Sequence, residues 1–178
     1  MWRRGFAALL LVVTSFGVAH VASASSNAGS HGVPAQVVPN CRSGRLHVTL
    51  GGGQGAAGTE YFPLIFTNTG RTCQLWGTPR VQPMTNRHVA VGPSAVVLST
   101  GVATTTFVVG RGKSVSAPFG VQEAGNYSVE LCVPRDAQTL QVRLAGFRAP
   151  TYLRLRTTVC TARASTHVDQ LVRGTSGY

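Results

Sequence analysis

The residues with the clearest chemistry in this 178-residue chain are its four cysteines, Cys41, Cys73, Cys132 and Cys160. None stands in a Cys-x-x-Cys pair, so the usual signature of a zinc site is missing. An even number of cysteines in an exported chain predicts two disulfides, and three connectivities are open. The favoured one joins Cys41 to Cys73 and Cys132 to Cys160. Each of these pairs flanks neighbouring strands and closes a loop of about 30 residues, so each bridge is worth about 3–4 kcal/mol.

Other reactive groups form no recognisable constellation. His31, His47, His88 and His167 include no pair at a ligand spacing on one strand. Glu60, Glu123 and Glu130 fall in different segments, with no motif joining them. The only aspartates are Asp136 and Asp169, and no Gly-x-Ser-x-Gly elbow accompanies them. The glycine-rich run Gly51 to Gly58 lacks the Gly-Lys-Ser/Thr of a phosphate-cradling loop and leads into no helix pattern. The expectation is a protein without catalytic residues, metal or cofactor. A hydrolase with an unrecognised site is the alternative from another class.

A binding surface is better supported. Thr139 to Leu144 and Thr151 to Thr157 both alternate apolar with polar residues. If their leucines and valine face the core, Arg143, Tyr152, Arg154 and Arg156 point outward. Paired as a hairpin, the two strands would carry these arginines as one stripe, with Tyr152 beside it and Arg148 at the turn. Guanidinium groups next to an aromatic ring suit phosphate or carboxylate ligands. The competing reading is a solvated face whose arginines protect a sheet edge from aggregation.

Export follows from the N-terminus. Met1 to Gly5 is a short basic segment, Phe6 to Ala19 is apolar, and Ala22-Ser-Ala24 is a small-residue cleavage site. The expected organisation is a signal peptide over 1–24, a flexible mature N-terminus over 25–40, a β-domain over 41–172 and a tail over 173–178. No lipobox precedes Cys41, so no lipid anchor is expected, and no later segment is apolar enough to span a bilayer. The protein is expected to be secreted or associated with the cell envelope. The formal charge is +11, from 16 basic and 5 acidic residues; without Arg3 and Arg4 it is 14 − 5 = +9. Such a charge attracts anionic envelope polymer or lipid headgroups, while export removes nucleic acid as a partner. Compositional bias enriching Arg, Ala, Gly and Val together would give the same charge without function.

The chain between Arg45 and Val172 reads as nine to ten short strands with turn signals every 8–12 residues. Leu46, Val48 and Leu50 alternate with His47 and Thr49, and Phe62, Leu64 and Phe66 alternate with Pro63, Ile65 and Thr67. Pro63 argues for a sheet edge or a nearby bulge. Thr67-Asn-Thr-Gly70 is turn chemistry, and Trp76 is expected in the core. Tyr127, Val129 and Leu131 predict one face of a strand over 126–133. Asn126-Tyr-Ser128 matches the N-glycosylation pattern. The fold class is all-β: an antiparallel sandwich, immunoglobulin-like in architecture only, because Trp76 follows Cys73 by three residues instead of standing between the two cysteines.

Cys41 before a strand, Gly55-Ala-Ala-Gly58, Pro63-Leu-Ile-Phe-Thr-Asn68, Gly70 and Cys73, Leu75-x-Gly77-x-Pro79-x-Val81, Val97-Leu98 with Gly101 and Ala103, Cys132, and Leu140-x-Val142 follow one another in this order. Together they resemble a family of exported actinobacterial proteins, domain of unknown function 4232. Ser99-Thr100 departs from the family's usual proline before Gly101. The resemblance implies export, a β-sandwich and disulfides, and it implies no catalytic residues.

Overall fold

Alternation from Phe62 to Phe66 becomes the long strand around which the largest sheet is built. The structure is a computed structural model that describes residues 37–178; the expected leader and most of the 25–40 segment lie outside the described residues. The strands are β1 (Leu46–Leu50), β2 (Gln54–Ala56), β3 (Thr59–Asn68), β4 (Cys73–Trp76), β5 (Arg80–Met84), β6 (Val96–Val97), β7 (Thr106–Val109), β8 (Ser114–Gln122), β9 (Pro134–Arg143), β10 (Thr151–Cys160), β11 (Thr166–Val168) and β12 (Val172–Arg173). The largest sheet has the order β1-β3-β8-β11-β6, with β2 also on β3 and β12 also on β8. A second sheet is β10-β9-β5, and β4 pairs with β7. All pairs are antiparallel except β11 with β6.

Phe62, Leu64 and Phe66 of β3, Val115, Ala117 and Phe119 of β8, Val81 of β5, and Leu140 and Val142 of β9 meet in one apolar core. The fold is an all-β sandwich. Burying a Phe or Leu side chain of this kind stabilises it by about 1.5–3 kcal/mol. Both disulfides form in the favoured pairing, Cys41–Cys73 across 32 residues and Cys132–Cys160 across 28.

Pro63 is not at an edge: β3 lies between β1 and β8. It stands directly opposite Pro118. The carbonyl of Pro63 accepts from Gly51, on the β1 side, and that of Pro118 accepts from Asp169, on the β11 side. A residue's N–H and C=O point the same way, so neither missing donor belongs to the β3–β8 ladder. Each points at a break in the flanking strand instead, Gly51–Gly53 between β1 and β2, and Asp169–Leu171 between β11 and β12. Gly51 permits the approach, since a Cβ there would fall 2.5 Å from Pro63 Cγ.

Two further expectations are corrected. Residues 126–133 are not a strand. A 3-10 turn ends at Asn126, and one helical turn, α1 (Val129–Cys132), follows, with Val129 and Leu131 exposed. Val133 closes it in the left-handed region (φ 49°) before Pro134 starts β9, and Cys132 is thereby aimed at Cys160. Trp76 is half-buried, not core. After Met84 the chain doubles back through an isolated bridge between Met84 and Ala90. At the C-terminus, Gly177 is buried and donates to Ser116 Oγ at 3.0 Å.

Candidate functional site

Strands β9 and β10 do form a hairpin, and its register settles which arginines are neighbours. Tyr152 stands opposite Gln141, and Arg154 opposite Thr139. Arg143 lies four residues from Thr139 along β9, about 14 Å from the Arg154 rung at ~3.4 Å per residue. Its immediate partner is Arg80 on β5. A bulge between Arg154 and Thr157 then offsets Arg156. Arg148 sits in the exposed loop between the strands. The single stripe expected from alternation is therefore split. Arg80 and Arg143 occupy one end, Arg154 and Arg156 the other, and Tyr152, Gln141 and Gln82 share the rung between them.

The Arg154 end is concave. A cleft of about 830 Å³ is lined by Tyr152, Arg154 and Arg156 together with Asn86, His88 and Gln138. Neither Arg143 nor Arg148 lines it, and no carboxylate does. One wall comes from the loop after β5. Thr85 N–H donates to Val89 O and His88 N–H to Thr85 O, which closes a tight turn. Asn86 N–H donates to Gln138 Oε1, which draws the loop across β9. His88 takes a left-handed backbone (φ 60°), a conformation His tolerates better than most residues. Its ring lies on Tyr152, with centroids 3.9 Å apart and planes 10° from parallel. The Tyr152 hydroxyl accepts from Gln141 Nε2 at 3.0 Å. Tyr152 is thus fixed at ring and hydroxyl, as a recognition group must be. Sequence patterning missed His88 because it joins the site through the register of three strands and a loop crossing.

Elsewhere, Ser99, His167 and Asp169 line a cleft of about 420 Å³ with Tyr61 and Tyr178. The Ser99 hydroxyl donates to Asp169 Oδ1. His167 packs edge-on against Tyr61, centroids 5.5 Å apart. Both residues are in register with Gly120, and a Cβ on Gly120 would fall 2.1 Å from His167 Nε2, so the imidazole lies over a position that must lack a side chain. Burial lowers the His167 pKa, and the Asp169 charge offsets this in part. Asn126 of the glycosylation pattern donates its Nδ2 to Gly58 O at 2.7 Å. Among the described residues no group of three or more His, Cys, Asp or Glu could hold a metal ion, and no helix is long and apolar enough to cross a membrane.

One residue ties the loops at the β3–β4 turn together. Asn68 is 1% exposed and makes no unpaired contact. Its Nδ2 donates to Arg71 O and Val109 O, both at 2.8 Å, and its Oδ1 accepts from Gly70 N–H at 2.8 Å. The profile of the family described as Domain of unknown function (DUF4232) matches residues 41–174, beginning at Cys41 and spanning this turn.

The chain belongs to the DUF4232 family.

In this DUF4232 domain, Asn68, Gly70 and Cys73 are thus structural: an amide hub, its acceptor-bound turn and a disulfide anchor. No curated protein and no solved structure matches the chain.

Proposed function

We propose that this DUF4232 protein is an exported, non-catalytic interaction module that takes an anionic envelope ligand in the Tyr152 cleft. The observation that carries the reading is the composition of that cleft: Arg154 and Arg156 beside the His88–Tyr152 stack, with no carboxylate in the lining. Guanidinium groups supply paired donors to phosphate or carboxylate oxygens, and the fixed aromatic ring supplies an apolar platform for whatever carries the anion. Anionic wall polymer is the first ligand class and lipid headgroups the second.

Two disulfides support export, since such bridges persist in oxidising compartments. The Ser99–His167–Asp169 corner supports the non-catalytic reading. Serine-nucleophile catalysis needs the hydroxyl on the imidazole and the carboxylate behind it. Here the hydroxyl is spent on the carboxylate itself.

The test is retention of the oxidised protein on purified envelope fractions and on phosphatidylglycerol vesicles at low salt. Arg154→Glu with Arg156→Glu should reduce retention sharply, while Arg143→Glu with Arg148→Glu should reduce it less, because neither residue lines the cleft. Unchanged retention in the first variant overturns the assignment. Turnover in an esterase and glycosidase screen would overturn the non-catalytic part.

A further inference from the structure

A second basic cleft lies where β3 turns into β4, and it shares no residue with the Tyr152 cleft. It measures about 810 Å³, and its lining includes Arg42, Arg45, Arg71 and Arg111. All four arginines are exposed, and no Asp or Glu lines the cleft. They come from three separate segments: the approach to β1 (Arg42, Arg45), the β3–β4 turn (Arg71) and the β7–β8 turn (Arg111).

These segments are fastened to one another. The Cys41–Cys73 bridge joins the first to the second. Cys41 N–H donates to Gln74 O, and Gln74 N–H to Pro39 O, so the arm before Arg42 is also laddered to β4. Thr69 donates to Arg45 O through both its N–H and its hydroxyl. Asn68 joins the second to the third: its N–H donates to Lys113 O, its carbonyl accepts from Gly112 N–H, and its side chain holds Arg71 O. Every arginine backbone in the cleft is therefore positioned by a disulfide or by hydrogen bonds to its neighbours.

From this we infer that the cleft binds a polyvalent phosphoryl anion. A concave set of four guanidinium groups on fixed backbones, with no internal counter-charge, is matched by a ligand that carries several negative charges close together. A single carboxylate would leave most of that charge unanswered. Condensed phosphate carries several charges within the span of the cleft, and each phosphoryl group presents oxygens in the planar spacing that a guanidinium fork engages bidentately. The inference stands apart from the Tyr152 reading, since either cleft can bind without the other.

Calorimetric titration of the oxidised protein with tripolyphosphate, at low and at physiological salt, tests it. Arg71→Gln with Arg111→Gln should weaken binding by about tenfold or more, as expected when charge-assisted hydrogen bonds are removed. Arg71→Lys with Arg111→Lys should restore part of it, because charge returns without the fork. Arg135→Gln, an exposed change outside both clefts, should leave it unchanged. Thermal melts of the variants confirm folding, since all the altered side chains are exposed. A vesicle arm distinguishes the source of the phosphoryl group. Phosphatidylglycerol binding that is weakened in the Arg71/Arg111 variant and competed by tripolyphosphate identifies a headgroup site. Tripolyphosphate binding alone identifies a free anion. Binding to both probes that is indifferent to Arg71 and Arg111, or no binding to either, overturns the inference.

Discussion

The imidazole of His88 lies flat on the ring of Tyr152, although a whole strand separates the two in the sheet: His88 follows β5, Tyr152 belongs to β10, and β9 runs between them. The stack holds a loop residue in a left-handed conformation that costs a non-glycine residue of order 1 kcal/mol. His88→Ala should lose the stack and keep the strained backbone, lowering stability by about 0.5–1.5 kcal/mol. His88→Gly loses the same stack and relieves the strain. Urea unfolding should therefore rank the glycine variant at or above the alanine variant; the reverse order would mean that the left-handed backbone at this position carries no strain.

Asn68→Ala removes three hydrogen bonds at a site that is 1% exposed. The carbonyl of Val109 and the N–H of Gly70 lose their partners, for a loss of about 3 kcal/mol. Asn68→Asp retains the acceptor for Gly70 and turns a carboxylate oxygen toward the carbonyls of Arg71 and Val109. Protonation restores a donor there. Chemical denaturation should show the aspartate variant strongly destabilised at neutral pH and gaining on the alanine variant as the pH falls.

His167 contributes a pH dependence of definite sign. Its folded pKa is lowered by burial from the ordinary 6.5, against a smaller opposing effect of Asp169. Tyr61 and Tyr178 line the same cleft. The unfolded chain therefore takes up the proton first. Stability is complete above about pH 6.5 and falls as the pH drops through the folded pKa. Melting temperatures of the wild type and His167→Gln, measured from pH 7.5 to pH 5.5 (about one unit either side of the ordinary imidazole value), should diverge in the acid direction, with the wild type losing more. Parallel curves would show that the imidazole is not held in its neutral form.

Thr166 Oγ1 is buried without a hydrogen-bond partner. Thr166→Val keeps the shape and removes the stranded hydroxyl, which costs about 1–3 kcal/mol to leave unmet. The variant should melt several degrees higher. A lower melting temperature would mean that the hydroxyl has a partner in solution, an ordered water being the simplest.

Much of this architecture was legible from alternation. Leu46 to Leu50, Phe62 to Phe66 and Leu140 to Leu144 lie where period-two patterning puts them, because each has one face against the core. The disulfide pairing followed from the same strands. Residues 129–132 misled, since Val129 and Leu131 are exposed and their spacing fits a strand as well as a helical turn. What decides there is the need to aim Cys132 at Cys160 ahead of Pro134. The split of Arg143 from Arg154 is set by register and a bulge, which local patterning does not encode. The basic cleft escaped for a related reason: Arg42, Arg71 and Arg111 are brought together by Asn68 and a disulfide, across segments far apart in the chain.

The facing prolines at the middle of the largest sheet bear on how the chain avoids its wrong pairings. A one-residue slip between β3 and β8 requires one strand to roll over. Rolling would swing a proline ring into the shared ladder, where the opposite carbonyl expects a donor, and would also send Phe62, Leu64 and Phe66 to the wrong side. In the observed register both rings look outward onto breaks that ask nothing of them. Pro63 and Pro118 thus discriminate against misaligned partners at no expense to the aligned one. A strand from a second molecule offered to β3 or β8 in any other register would meet the same rejection, so the centre of this sandwich tolerates no loosely matched guest.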